Sequence, residues 1–218
     1  MSGKPSWFTF VRDAMIDGSP QVLIPRAGGV QLTYSAGVPQ WAPLNGRDYA
    51  SFDNTNIWRT ALVPVGNVIS MAGMFSPPSG QVEPFGMQFQ NGDQFWVAPC
   101  HGASTGIRFS KGGTTHDFIV GQPASVPLNV ISPAITSLNT VTGDIKYQAM
   151  SGVIYETNHP DLIGLGGGTG EAQFSGGMGT FGQRYTGILT DLGWGSSDWF
   201  ADGGSDLIAE YSANIAGA

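Results

Sequence analysis

Apolar and polar residues alternate with a period of two along much of the chain, the spacing of strands with one buried face. Val30-Gln31-Leu32-Thr33-Tyr34 alternates between Gly28-Gly29 and Gly37-Val38-Pro39. Phe85, Met87 and Phe89 alternate again, and Gln90-Asn91-Gly92-Asp93 separates them from Gln94-Phe95-Trp96-Val97. Asn-Gly between two such runs predicts a hairpin with a type I′ turn, which needs positive φ at both central residues. Val68 to Phe75 is a continuous small-and-apolar run closed by Ser76-Pro77-Pro78, and it predicts a strand buried on both faces. Further strands are expected at Ile107–Phe109, Asp117–Val120, Val126–Val130 and Lys146–Met150, the last linked tightly through Ser151-Gly152 to Val153–Glu156. Asp161–Leu165, Ala172–Phe174 and Gly187–Thr190 complete the series. Many short strands punctuated by Gly, Pro, Asn and Asp predict an all-β sandwich or barrel.

Helical spacing is confined to the ends. Leu207, Ile208, Tyr211 and Ile215 share one face, with Ser205 or Asp206 as cap and Gly217 beyond, so a short C-terminal helix is expected. Trp7, Val11 and Met15 form a second, weaker stripe against Pro5 and β-branched neighbours. Pro20, Pro25, Pro39 and Pro43 favour extended backbone. The expected division is an extended N-terminal arm over 1–43 and a single β-domain over 44–218.

Composition narrows the function classes. Only 11% of the 218 residues are charged, against ~25% in ordinary soluble domains. Nine Lys and Arg face sixteen acids, giving a net charge of −7, and no basic stripe of the kind that contacts nucleic acid is present. The lone Cys100 excludes an internal disulfide, as in chains assembled in a reducing compartment. No run approaches the ~18 apolar residues of a membrane-spanning helix, and the start lacks the apolar stretch of a signal peptide. Synthesis in a host cytoplasm without membrane insertion is the corresponding expectation. So little charge leaves neutral surface that partners can cover.

Three segments carry a family resemblance. Leu44-Asn-Gly-Arg-Asp-Tyr-Ala-Ser-Phe52 is similar to a first core strand preceded by Gly-Asp-Tyr, and Ile69-Ser-Met-Ala-Gly-Met-Phe-Ser-Pro-Pro-Ser79 to a central strand ending in a Pro turn. Asp161-Leu-Ile-Gly-Leu-Gly166 followed by Phe174-Ser-Gly-Gly177 is similar to a late strand pair. Together, residues 44 to 215 resemble the concanavalin-A-like, laminin-G-type jelly roll. Lys146-Tyr-Gln-Ala-Met-Ser-Gly-Val153 departs from that family's Tyr-Val-Asn-Gly hairpin. The resemblance implies an antiparallel β-sandwich; its members include glycan binders, glucan hydrolases and phage virion parts, and fold alone does not choose among them.

Candidate chemistry is sparse. The glucanase branch of that fold places two carboxylates on one strand as Glu-x-Asp-x-Glu. No such segment surrounds Glu83, Glu156, Glu171 or Glu210, so no catalytic residues are assigned. Neither a Gly-x-Ser-x-Gly elbow nor a phosphate loop occurs, and Cys100-His101 lacks the facing geometry of a catalytic pair. His101, His116 and His159 have no metal-ligand spacing. Trp96, Trp194 and Trp199 are the candidate platforms for sugar stacking, with core packing as the alternative. Asp191, Asp198 and Asp202, with Asp206 nearby, are the candidate Ca²⁺ ligands, with a solvated acidic rim as the alternative; no other cofactor is expected.

The expectation is therefore a non-enzymatic structural protein of a phage or virus-like particle, such as a capsid decoration, minor capsid or tail component. Its partners would be other virion proteins and copies of itself. The alternative is a lectin-like carbohydrate-binding module, which a particle surface could also display.

Overall fold

A computed structural model describes residues 6–9, 15–16, 22–23, 32–36, 40–44, 46–53, 57–76, 81–82, 85–101, 104–119, 129–149, 153–174 and 186–201. These residues form two antiparallel sheets packed face to face, an all-β sandwich of the jelly-roll kind.

The smaller sheet is built on β9 (Val68–Ser76), β15 (Ser132–Asn139) and β19 (Thr186–Gly195). Outward from β15 lie β16 (Asp144–Ala149) and β17 (Ile154–Asn158). On the other side of β19 lie β6 (Arg47–Asp53), β5 (Gln40–Leu44) and β1 (Ser6–Thr9). The larger sheet runs from β14 (Thr114–Ile119) through β13 (Ser104–Lys111), β12 (Gln94–His101), β11 (Phe85–Phe89) and β18 (Thr169–Phe174) to β7 (Ile57–Thr60). It continues through β4 (Leu32–Ala36), β3 (Val22–Leu23) and β2 (Met15–Ile16), while β8 (Val63–Pro64) and β10 (Gln81–Val82) add short pairings to β18 and β12. The strands before residue 44 are extended, and they pair into both sheets. The C-terminal segment expected to be helical, the Val126–Leu128 stretch and the Ser151-Gly152 link lie outside the described residues.

Alternation puts Phe85, Met87, Phe89, Phe95, Val97, Ile107, Phe109, Ala172 and Phe174 of the larger sheet into one core with Ile69, Met71, Phe75, Leu138, Ile145 and Leu192 of the smaller. As expected, β9 is buried on both faces. Its outer face is covered by a second cluster in which Trp199 packs on Ala72 and Ile135. The Ser70 hydroxyl secures that fold-back, donating to the Ser197 carbonyl at 2.6 Å and accepting from the Trp199 amide at 3.2 Å.

Several elements differ from expectation. Ser6–Thr9, in the weaker helical stripe, is a strand whose register pairs Trp7 with Gly193, because the edge of β19 satisfies its backbone more fully than an isolated turn of helix. The 85–101 hairpin forms, but its turn is not type I′. Among the described residues only Asn129 has positive φ outside glycine, whereas Gly92 has φ +89°. The Gly92 amide donates to the Phe89 carbonyl and the Phe89 amide to the Asp93 carbonyl, giving a longer loop closed by a left-handed glycine. Asp161–Leu165 is not a strand. Pro160 opens a 3-10 turn over Pro160–Leu162, and the chain then reverses through Gly164 and Gly166, whose φ values are +77° and +82°. β15, unanticipated, is central to its sheet; its Ser/Thr content and Pro133 mask it, yet Thr136 is fully buried and its hydroxyl donates to the Lys146 carbonyl at 3.0 Å.

Candidate functional site

None of the candidate tryptophans faces solvent. Trp96 is 0% exposed, Trp199 2% and Trp194 6%. The Trp96 indole lies across Gly86, where a Cβ would sit 2.5 Å from the ring. Trp194 packs 6.3 Å from Phe174 in the main core, and Trp199 seals the outer face of the smaller sheet. A ring with both faces covered cannot stack on a sugar, so hydrophobic burial claims all three.

Of the three candidate Ca²⁺ ligands, Asp198 is the one whose side chain is described. Asp191 is placed within β19, while Asp202 lies outside the described residues. Asp198 is engaged elsewhere: its carboxylate accepts from Lys146 Nζ at 2.7 Å and from the Phe200 amide at 3.0 Å. Burial works to raise the Asp198 pKa, but the hydrogen bonds from Lys146, Phe200 and Ser137 outweigh it and hold the value below the ordinary 3.8. The hydrogen bond to Asp198 in turn raises Lys146 above the ordinary 10.5.

The outward face of the larger sheet carries the most organised polar chemistry. Register aligns Arg59 (β7), Gln173 (β18), Gly86 (β11), Trp96 (β12), Arg108 (β13) and Asp117 (β14) in one line across six strands. At ~4.8 Å per strand the line extends about 24 Å. Glu171, Gln88 and Gln94 form a parallel line one pleat along. These residues fall on the outer face because their strand neighbours are the core residues named above.

Hydrogen bonds fix the orientation of this face. Gln173 Nε2 donates to Glu171 Oε1 at 2.6 Å and to Gln88 Oε1 at 3.0 Å. Two acceptors around one nitrogen determine the amide's orientation and leave Gln173 Oε1 pointing away. That oxygen is buried and accepts no hydrogen bond, and Arg59 Nε beside it is buried and donates none. Arg59 Nη1 meanwhile lies 3.4 Å from Glu171 Oε1. Further along the line, Arg108 binds both Asp117 carboxylate oxygens, at 2.7 and 3.3 Å. Access is graded: the Arg59, Glu171 and Asp117 side chains are 33%, 21% and 38% exposed, while Gln173 is buried. Of the acids considered for catalysis, Glu171 lies in the larger sheet, Glu156 on β17 in the smaller, and Glu83 and Glu210 outside the described residues.

At one end of the sandwich a cleft of about 380 Å³ lies between Val65–Asn67, Thr140-Val141 and the Ile163–Gly168 loop. Its wall is tied by the buried Asp93 carboxylate, which accepts from the Gly112 and Gly166 amides at 3.0 Å each and from Asn91 Nδ2 at 2.9 Å. Val65, Ile69, Phe89 and Leu165 supply the apolar part of its lining.

No known protein family model matches the chain, and no curated protein does. Solved structures match at the level of fold. Domain 4 of AbnA, an extracellular GH43 arabinanase of Geobacillus stearothermophilus seen with arabinotriose, is similar with TM-score 0.60 at 15% identity, over 90% of this chain and 94% of that one. A chain of botulinum neurotoxin type C, whose cell entry depends on two ganglioside molecules, is similar with TM-score 0.62 at 10% identity. The match covers 97% of this chain and 51% of the toxin's. The enzymatically active domain of bacteriophage CBA120 tailspike protein 2 gives TM-score 0.57 at 14% identity, over 81% of this chain and 31% of that one. Such low identities show a shared β-sandwich.

Proposed function

We propose that the chain is a non-enzymatic, lectin-like glycan-binding module that uses the outward face of the larger sheet. The observation that carries this reading is the orphaned pair on directly opposed residues, Gln173 Oε1 as acceptor and Arg59 Nε as donor. An unmet buried polar group costs ~1–3 kcal/mol. A hydroxyl is donor and acceptor at once, so one sugar hydroxyl, admitted by a shift of the 33%-exposed Arg59 side chain, can accept from Arg59 Nε and donate to Gln173 Oε1. Arg108 and Asp117 extend the same chemistry along the line, and Glu171 and Gln88 along the parallel one, as an oligosaccharide with many hydroxyls requires. The arabinotriose complex of the AbnA domain and the ganglioside dependence of the toxin support a glycan as ligand. The test is a glycan array that includes arabino-oligosaccharides and ganglioside headgroups, followed by calorimetry on Gln173→Ala and Arg59→Ala. Binding that weakens at least tenfold in both variants is expected. Absence of glycan binding by the wild-type chain, or binding unchanged in both variants, rejects the reading.

A second reading, a structural part of a phage tail or particle, is supported by the tailspike likeness and by the 11% charge content. It places the chain in a virion among copies of itself and other particle proteins. Ile154, 45% exposed at the start of the sheet-terminal strand β17, and Val153 just before it, 50% exposed, are surface that such a neighbour would cover. Sedimentation separates the two: large assemblies or particle association favour the second reading, a glycan-binding monomer the first.

A further inference from the structure

His116 and the His159–Asp161 segment, which the sequence keeps apart, converge where the two sheets end. β14 terminates the larger sheet and β17 the smaller. His116 lies in β14, His159 directly follows β17, and Asp161 lies in the first turn of the 3-10 segment. Potential ligand atoms of the three all fall within 4.8 Å of one another. Asp161 Oδ2 is 3.3 Å from His116 Nδ1 and 3.7 Å from His159 Nδ1.

We infer that His116, His159 and Asp161 form a binding site for a transition-metal dication of the Zn²⁺ type, which clips the ends of the two sheets together. Ligands ~2.0–2.1 Å from a tetrahedral ion lie about 3.3–3.4 Å apart; the His116–Asp161 separation of 3.3 Å matches that edge, and the His159–Asp161 separation of 3.7 Å exceeds it by a few tenths of an ångström. His159 Nδ1 is buried and has no hydrogen-bond partner, so its lone pair or proton is unmet. Its separation from Asp161 exceeds a good hydrogen bond and suits an ion between them.

The rings are held in place before any ion arrives. Phe109 stacks on His116, with centroids 5.0 Å apart and planes 17° apart, and meets His159 edge-on at 5.2 Å. The His159 amide donates to the Gly143 carbonyl at 2.8 Å, and the Leu162 amide donates back to the His159 carbonyl at 3.0 Å. Two imidazoles and one carboxylate select a borderline ion over Ca²⁺ or Mg²⁺, which prefer all-oxygen shells. Asp161, 56% exposed, gives the ion a route in and leaves a fourth position for water. This site is separate from the orphaned Arg59–Gln173 pair and does not depend on the glycan reading.

The experiment uses chelator-stripped full-length chain near neutral pH, with Zn²⁺, Co²⁺, Ca²⁺ and Mg²⁺ as probes. Free Zn²⁺ at a hundredfold excess over Kd should raise the Tm by about 6 °C, whereas Ca²⁺ and Mg²⁺ should not. Co²⁺ should give the strong visible absorption of a tetrahedral site. His116→Ala and His159→Ala should each weaken Zn²⁺ binding at least tenfold. Asp161→Asn, at an exposed position that folding tolerates, should do the same and guards against a loss caused by misfolding. A wild-type chain that binds Zn²⁺ no more tightly than the His116→Ala/His159→Ala double variant overturns the inference. So does Zn²⁺ binding unchanged in Asp161→Asn.

Discussion

The Asp93 carboxylate accepts a 3.0 Å hydrogen bond from the amide of Gly166, 73 residues further along the chain. The same carboxylate holds Gly112 and Asn91, so three loops at one end of the sandwich share a single buried acceptor. Asp93→Ala should therefore cost about 2–4 kcal/mol, since it leaves several amide donors unmet together. Chemical denaturation checks this, and Asp93→Asn, which retains one acceptor oxygen, should recover part of the loss.

Trp199 covers Ala72 and Ile135 on the outer face of the smaller sheet. Trp199→Ala should destabilise by about 3–5 kcal/mol and expose that face. Val141→Ser, at a residue 58% exposed, should stay within about 0.5 kcal/mol. Equal effects in thermal unfolding would mean that Trp199 does not form this cover.

Gly86 sits under the Trp96 indole, and an added Cβ would also collide with the Phe95 carbonyl oxygen. Both neighbours are fixed within a sheet, so neither can yield without shifting backbone or a buried ring. Gly86→Ala should cost about 1–3 kcal/mol despite its gain in intrinsic propensity. Near-UV circular dichroism should report the displaced indole.

The Lys146–Asp198 pair makes stability depend on pH at both extremes. The lowered Asp198 pKa gives a contribution that is present above the unfolded value of 3.8 and lost as pH falls through the folded value. The raised Lys146 pKa gives one that is present below 10.5 and lost as pH rises through the still higher folded value. Lys146→Met should flatten the alkaline limb of a Tm-against-pH profile, which unchanged curvature would contradict.

Much of the fold was legible because its cause is local. The alternation at Phe85, Met87 and Phe89 set which face of β11 is buried, and the unbroken run from Val68 announced a strand covered on both sides. Asn91-Gly92 marked the hairpin, although the turn type depended on Asp93 closing the loop from outside the dipeptide. β15 escaped notice because Ser132, Thr136 and Ser137 look like loop residues until hydrogen-bonding partners from β16 and neighbouring segments make their burial tolerable.

By itself, the sequence determined the all-β class, most strand positions and the shortage of charge, since period, turn residues and composition are properties of the chain read in order. Tertiary structure alone decided the chemistry. Strand register set Arg59 opposite Gln173, and sheet closure brought His116 to His159 and Asp161, while packing withdrew Trp96, Trp194 and Trp199 from solvent. Contacts between residues far apart in the chain are selected by the free energy of burying one sheet against the other, and no local pattern encodes that choice.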